Sequence, residues 1–231
     1  ASVRILESLG LWGMLADHAT PIRHIHVSQQ GGFGISRFDA RDVGVDALGQ
    51  VLPNHRLIAA LLERLPQQPG LTLHVPARVT AVSQDGARMR VRLDGPDGLM
   101  DLSSRLLVAA DGALSRVREM MGFHSREWDY GHHAIVATVE VAHPHEDTAW
   151  QRFLPSGPLA LLPLPGADGH HYCSIVWSIQ EHLANAVLAL DDQAFCAELE
   201  RASEGRLGAV LGSSRRFAYP LRQRHAVDYV Q

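Results

Sequence analysis

Four residues in one short segment are suited to binding a phosphate-bearing ligand: Asp111, Gly112, Ser115 and Arg118. The glycine removes side-chain bulk where a ligand could approach the backbone, and serine is a preferred N-cap of helices. The first turn of a helix has unpaired N–H groups, which attract anions. The segment therefore indicates a phosphate site, although an Asp-Gly turn that only reverses the chain has the same local pattern.

To place these four residues at a turn, the segment needs one secondary-structure element before it and another after it. The apolar run Leu106–Ala110 predicts a buried strand, and the residues after Ser115 predict a helix. In this strand-turn-helix unit Asp111 could also hydrogen-bond within its own turn, and Arg118 could be a solvated helix residue. The segment alone leaves both interpretations open.

Upstream of this unit the sequence predicts helices and hairpins. Residues 2–15 predict a helix broken at Gly10, and an apolar stripe after Asn54 predicts a second helix with that residue as its N-cap. Leu71–Val75 predicts a short strand, and residues 78–93 predict a hairpin closed by a Gln-Asp-Gly turn. The first half of the chain is therefore a mixture of helices and strands.

Downstream of Gly122 the pattern changes to long strands of alternating character. The strands are separated by proline-containing turns, as in an antiparallel sheet, and Asp191-Asp192 begins a further helix. The predicted fold class is mixed α/β, with an α/β part to about Phe123 and a mostly antiparallel part after it.

Composition excludes several classes of function. The chain has 231 residues, a net charge of -4 and no run of basic residues, which argues against nucleic-acid binding. No apolar run reaches the ~18 residues that a membrane span needs, so the protein is expected to be cytoplasmic. The two cysteines, Cys173 and Cys196, are expected to be buried free thiols.

Fourteen histidines suggest a metal site, but their arrangement does not support one. Several are adjacent or one residue apart, yet no Cys-x-x-Cys or His-Glu-x-x-His arrangement accompanies them. We therefore expect histidines on the surface and in loops, and no bound metal. No Gly-x-Ser-x-Gly motif is present, which disfavours hydrolysis by an activated serine.

The segment Val108–Arg118, VAADGALSRVR, resembles the Asp-Gly motif of the flavin-dependent aromatic hydroxylases of the para-hydroxybenzoate hydroxylase class. The resemblance implies that FAD is bound, and the nicotinamide cofactor handled, by Asp111, Gly112, Ser115 and Arg118. A Gly-Gln pair also stands before a helix in that family, which implies that Gln50 contacts the flavin.

Three further stretches narrow the resemblance: Ala47–Val51, Gly157–Leu164 and Tyr219–Leu221. They are similar to the 2-octaprenyl-6-methoxyphenol hydroxylases of ubiquinone biosynthesis. This similarity implies an FAD-dependent monooxygenase that uses NAD(P)H and O2 to hydroxylate a polyprenylated phenol. In such enzymes a flavin hydroperoxide transfers the oxygen, so no catalytic side chain is assigned.

The resemblance also implies a division into two domains. A partial FAD-binding domain would comprise residues 1–21 and 45–128, and an antiparallel sheet domain that binds substrate would comprise residues 22–44 and 129–231. The candidates for lining the substrate site are Phe153, Leu161, Pro163 and Trp177, for which a role in the plain hydrophobic core is the alternative.

Two motifs of the family are missing from the sequence. These are the Gly-x-Gly-x-x-Gly that holds the ADP part of FAD and the later Gly-Asp motif near the ribityl chain. We therefore expect an internal part of a longer enzyme, which by itself binds FAD weakly or not at all and is inactive.

Other functions and partners remain open on the sequence alone. One alternative is a non-catalytic module that binds prenyl lipids or docks onto a biosynthetic complex, and another is halogenase or epoxidase chemistry on the same scaffold. The resemblance also allows peripheral contact with the inner membrane or with a ubiquinone-biosynthesis complex.

Overall fold

The computed structural model describes residues 2–230 as a mixed α/β protein, which confirms the predicted fold class. The helices are α1 Ser2–Ser8, α2 Trp12–Leu15, α3 Asn54–Arg64, α4 Arg116–Met120, α5 Glu181–Leu188 and α6 Asp192–Ser203. The strands are β1 Thr20–Ile22, β2 His24–Gln29, β3 Ile35–Asp39, β4 Gly49–Val51, β5 Arg78–Asp85, β6 Arg88–Gly95, β7 Gly98–Ser104, β8 Ser125–Val141, β9 Thr148–Leu154, β10 Gly157–Pro163, β11 His171–Gln180, β12 Val210–Ser213 and β13 Phe217–Ala226.

The strands form three sheets. The largest has the order β12-β8-β11-β10-β9-β2-β3, with β13 also paired to β8. Its pairs with an assigned register are antiparallel except β2–β9, which is parallel. The strands β5, β6 and β7 form an antiparallel meander, and β1 pairs with β4 in a two-stranded sheet.

The main core lies between one face of the large sheet and helices α5 and α6. Phe195 and Leu199 of α6 are fully buried against Ile135, Leu159 and Ile175 of the sheet. Alternate residues of β8, β10 and β11 supply this face, as expected when successive side chains point to opposite sides of a strand. Burying each of these large apolar side chains contributes roughly 1.5–3 kcal/mol to folding.

The chain divides into two compact units. The large unit contains residues up to Gln67 together with Gly131–Leu221, and the small unit contains Gln68–Tyr130 together with the residues from Arg222 onward. These units group helices α1 to α3 with the large sheet. The division into a cofactor domain and a substrate domain stays a prediction.

Most of the predicted elements are confirmed. The N-terminal helix breaks at Gly10, which has a φ of 68°, and the predicted hairpin forms as β5 and β6, which β7 extends to a three-stranded meander. Asp191 caps α6 by accepting a hydrogen bond from the Ala194 N–H at 2.8 Å. Helix α5 and the first half of β8 were not predicted.

Three local predictions are wrong. Leu106–Ala110 is neither a strand nor buried, and Leu71–Val75 is not a strand either. No strand among residues 2–230 pairs with these two segments, so their backbones have no ladder to join. Asn54 is the first residue of α3 rather than its N-cap, which is Pro53.

Candidate functional site

The small unit contains a cleft of about 560 Å³ beside the Asp-Gly turn. Three of the five predicted cofactor residues, Gly112, Ser115 and Arg118, line it. Much of the wall is apolar and includes Leu106 and Val108, whose side chains are 74% and 72% exposed. The cleft therefore combines a tight turn with an apolar surface, which suits a ligand with a flat or aliphatic part.

Asp111 and Ser115 hold the start of helix α4. Ser115 is the N-cap, as predicted, and its Oγ accepts a hydrogen bond from the Arg118 N–H at 3.0 Å. The Asp111 Oδ2 accepts a hydrogen bond from the Val117 N–H at 3.2 Å. These side chains satisfy N–H groups that an anion would otherwise bind, so an anion in the cleft must find other donors.

The environment of Asp111 favours its ionised form. A hydrogen bond from the Ser115 hydroxyl lowers the pKa of the Asp111 carboxyl, and backbone N–H groups of Val117, Asp111 and Arg116 lower it further against the opposing effect of burial. Ser115 is itself buried. These contacts agree with the alternative that Asp111 hydrogen-bonds within its own turn, while its contact with a cofactor stays a prediction.

Gly112 is required by the backbone conformation rather than by lack of space. Its φ is 85°, a region that residues with a Cβ rarely adopt, and nothing lies within 4 Å of the position that a Cβ would occupy. The Ser115 N–H closes the turn with a hydrogen bond to the Gly112 carbonyl at 3.1 Å. The open space beside Gly112 leaves its backbone accessible from the cleft.

Two arginines meet at the next peptide group of the turn. The Arg118 Nη2 donates to the Ala113 carbonyl at 2.9 Å, and the Arg224 Nη1 donates to the same oxygen at 2.5 Å. Arg224 comes from β13, and the carboxylate of Glu127 on β8 accepts a hydrogen bond from its Nη2 at 3.0 Å. Nothing in the local sequence near the turn indicated Arg224 or Glu127.

The cleft is also positively charged, and of the three arginines that line it only Arg118 was predicted. Arg88 and Arg105 line it together with Arg118, and no carboxylate within residues 2–230 forms an ion pair with any of these three side chains. Asp228 is the acidic side chain among the described lining residues. Because guanidinium groups bind phosphates through several parallel hydrogen bonds, this arrangement favours a phosphate-bearing ligand.

Gln50 belongs to the large unit. It lies in β4, opposite Pro21 of β1, and is exposed. The neighbouring Gly49 sits where a Cβ would lie 3.5 Å from the Ile22 side chain. The structure thus fixes the backbone at Gln50, and its contact with a flavin stays a prediction.

The four predicted substrate residues do not share one face of the large sheet. Leu161, Pro163 and Trp177 are buried on the face that packs against α5 and α6, in accord with the alternative that they are core residues. Phe153 lies on the opposite face, where it pairs with Pro158, and is 45% exposed. Contact of any of the four with a substrate stays a prediction.

Other reactive groups are dispersed or shielded. No cluster of three or more His, Cys, Asp or Glu side chains with metal-binding geometry occurs in the described part of the chain. Both cysteines are free, and burial raises the pKa of the Cys173 thiol to about 12. Among residues 2–230 there is also no helix with the length and apolar character needed to cross a bilayer.

Comparison with known sequences identifies the family. The whole chain, residues 1–231, matches the family model of the FAD binding domain. It is 38% identical to ubiquinone hydroxylase UbiL of Rhodospirillum rubrum and 30% identical to 3-demethoxyubiquinol 3-hydroxylase of Escherichia coli. Both matches cover 100% of this chain but only 52% and 57% of the relatives, so the chain spans about half the length of these proteins.

Solved structures show the same fold. The p-nitrophenol 4-monooxygenase PnpA of Pseudomonas putida superposes with a TM-score of 0.74 over 99% of this chain and 58% of its own, at 15% identity. The flavin-dependent monooxygenase PieE, solved with FAD and substrate, gives a TM-score of 0.69 over 99% of this chain and 43% of its own, at 18% identity. These two structures share the fold. The match to the family model and the sequence relatives show that the chain belongs to the FAD binding domain family of flavin-dependent aromatic hydroxylases, which the resemblance of the Asp-Gly motif predicted.

Proposed function

We propose that this chain is part of an FAD-dependent monooxygenase that hydroxylates a polyprenylated phenol in ubiquinone biosynthesis. The observation that carries the proposal is the 38% identity to a ubiquinone hydroxylase along the whole chain, with the Asp-Gly turn at the edge of a positively charged cleft. The mitochondrial ubiquinone biosynthesis monooxygenase COQ6 of Xenopus tropicalis, 32% identical over 84% of this chain, supports the same activity.

The residues of the small unit fit part of a flavin dinucleotide. The backbone at Gly112 is open to the cleft, and Arg118 with Arg88 and Arg105 provides positive charge for a pyrophosphate. Asp111 and Ser115 are already hydrogen-bonded to α4, so we assign them the task of holding the turn rather than the ligand. Gly112 and the three arginines would hold the cofactor.

The cofactor would carry out the oxidation chemistry, and the protein would position the cofactor and the substrate. Bound FAD, once reduced by NAD(P)H, would supply the electrons with which O2 hydroxylates a phenol ring. The chain contributes a fixed turn, positive charge beside it and apolar side chains along the cleft. We accordingly assign no general acid, base or nucleophile to this chain.

We propose the face of the large sheet opposite the main core as the surface for the substrate. Phe153 lies on this face, as do Ala160, Leu162 and Val176, which are half-buried apolar residues in register on β10 and β11. An apolar sheet face of this kind suits a prenyl chain or an aromatic ring. Contact with the inner membrane or with a biosynthetic complex would follow from the apolar character of such a substrate.

A flavin titration tests the proposal. We expect the chain alone to bind FAD weakly or not at all, and the full-length protein to bind it with quenching of flavin fluorescence and to oxidise NAD(P)H in the presence of a prenylphenol and O2. Arg118→Met should weaken FAD binding by about tenfold, the loss of one hydrogen bond to a charged group. Arg90→Met is the control: Arg90 lies on β6 of the same small unit but outside the lining of the cleft.

Two results would contradict the proposal. A full-length protein that binds prenylphenol but no FAD would indicate a non-catalytic lipid-binding module. Unchanged hydroxylation kinetics in Asp111→Gly would show that the turn does not serve the cofactor.

A further inference from the structure

The Asp-Gly turn is held from outside by residues that are distant in sequence. Arg224 is 111 residues from Ala113, to whose carbonyl its Nη1 donates a hydrogen bond. It is 97 residues from Glu127, whose carboxylate accepts a hydrogen bond from its Nη2. The Arg224 side chain is only 18% exposed, and its Nε lies 2.6 Å from Glu127 Oε1. Nε makes no hydrogen bond in spite of this short distance, so the guanidinium is held by the ion pair and by the one hydrogen bond from Nη2 to Glu127. Held in this way, its Nη1 is directed at the Ala113 carbonyl.

This arrangement determines the orientation of one peptide group. A carbonyl oxygen has two lone pairs, and at Ala113 one accepts from Arg118 and the other from Arg224. Arg118 lines the cleft, whereas Arg224 does not. Arg224 therefore contacts the turn from outside the cleft, where it can orient the backbone of the turn without contacting a ligand in the cleft.

We propose that Arg224, oriented by Glu127, is a positioning residue that holds the Asp111–Ala113 turn in the conformation that binds the cofactor. The inference rests on the proposed function for the identity of the ligand, and on the contacts at Ala113 for the role of Arg224. Without Arg224 the Ala113 carbonyl loses one of its two donors, and the peptide groups on either side of it gain rotational freedom. The cofactor would then have to order the turn at a cost in affinity.

The chain provides a matched control on the same strand. Arg222, two residues before Arg224, forms an ion pair of 2.9 Å with Asp129. Its side chain is 55% exposed, and it makes no contact with the turn among the hydrogen bonds of residues 2–230. Arg224→Met and Arg222→Met thus remove the same charge from the same strand, and only the first removes a donor from Ala113.

Hydrogen exchange in the chain itself tests the positioning role without a cofactor. In Arg224→Met we expect the amides of residues 113–118 to exchange about tenfold faster than in wild type, since one hydrogen bond to a charged group no longer restrains the turn. Amides of β6 should be unchanged. Arg224→Lys should restore part of the protection, Glu127→Gln should have a smaller effect in the same direction, and Arg222→Met should match wild type.

FAD affinity of the full-length protein with the same substitutions is the second measurement. We expect Arg224→Met to raise the Kd for FAD by about tenfold and Arg222→Met to leave it unchanged. Exchange in residues 113–118 equal to the Arg222→Met control, or equally faster exchange in β6, would overturn the positioning role. Faster local exchange with an unchanged Kd would overturn the link to the cofactor. A wild-type protein that binds no FAD would refute the proposed function, and the exchange data would still decide the role of Arg224.

Discussion

Two apolar segments of this chain have nearly the same composition and opposite environments. Leu159 and Leu161 of β10 are 0% and 3% exposed, whereas Leu106 and Val108 are 74% and 72% exposed. Strand β10 has β9 on one side, β11 on the other and two helices over one face. The segment that contains Leu106 has no strand partner within the described chain.

The difference shows that hydrophobic pattern alone does not bury a strand. A strand must also pair its N–H and C=O groups, and an apolar segment without a neighbouring strand leaves them to water. Strand β10 meets this requirement through β9 and β11, whereas the segment that contains Leu106 has no strand beside it within residues 2–230.

The largest expected effect comes from the core of the large unit. Phe195→Ala removes a fully buried ring between α6 and the sheet and should lower the free energy of unfolding by about 3–5 kcal/mol. Leu106→Ala removes an exposed side chain and should change it by less than about 0.5 kcal/mol. Urea unfolding followed by circular dichroism measures both values. A comparable loss in the two variants would mean that Leu106 is buried in solution.

A second comparison concerns two glycines that both have a positive φ, 131° at Gly157 and 85° at Gly112, but of which only Gly157 also lacks space for a Cβ. In Gly157→Ala the new Cβ would lie 2.0 Å from the Ser178 carbonyl oxygen, so the backbone must move, at a cost of about 3 kcal/mol. In Gly112→Ala the Cβ meets nothing, and the cost should be about 1 kcal/mol from the positive φ alone. The denaturant midpoints of the two variants test whether Gly157→Ala destabilises the protein more than Gly112→Ala, and equal midpoints would contradict this expectation.

The pH dependence of the turn is a smaller effect. Because the pKa of Asp111 is lowered in the folded chain, its contribution is complete above the ordinary carboxyl pKa of about 3.9 and is lost as the pH falls through the lowered value. At pH 7 Asp111→Ala should cost about 1 kcal/mol, because the Val117 N–H at the start of α4 loses its acceptor. Melting temperatures of the variant and wild type should converge only as the pH falls below the ordinary carboxyl pKa of about 3.9, and a constant difference would argue against an ionised Asp111.

The smallest effect concerns the thiols. Burial raises the pKa of Cys173 to about 12, and burial also raises the pKa of the less buried Cys196. In the native chain an alkylating reagent at pH 8 should therefore modify Cys196 slowly and leave Cys173 intact until the protein unfolds. Mass spectrometry of Cys173→Ser and Cys196→Ser identifies the modified site. Rapid labelling of Cys173 would show that the large sheet opens readily.

Much of the fold was predictable because its signals are local. Alternation along β10 and β11, the caps at Ser115 and Asp191, and the turn before β6 each depend on a few neighbouring residues. The strands at Leu106 and Leu71 were predicted wrongly because their fate depends on pairing, which a local pattern does not contain.

The candidate site was predictable only in part. The spacing of Asp, Gly, Ser and Arg located the turn, and the conformation of Gly112 and the cap at Ser115 agree with it. The contact of Arg224 with Ala113 joins residues 111 positions apart, and no periodicity in β13 distinguishes Arg224 from Arg222. Trp177 was assigned to a substrate site from its strand, but the sequence did not show which face of the sheet would be covered by helices.

The parallel pair β2–β9 has a consequence for how the chain is made. Arg23, just before β2, binds Asp147, just before β9, and these residues are 124 positions apart. At a synthesis rate of roughly 5–20 residues per second, the ribosome needs about 6–25 s between them. During this interval one edge of the β2–β3 hairpin is unpaired on the nascent chain, which makes it a site where a chaperone would reduce aggregation.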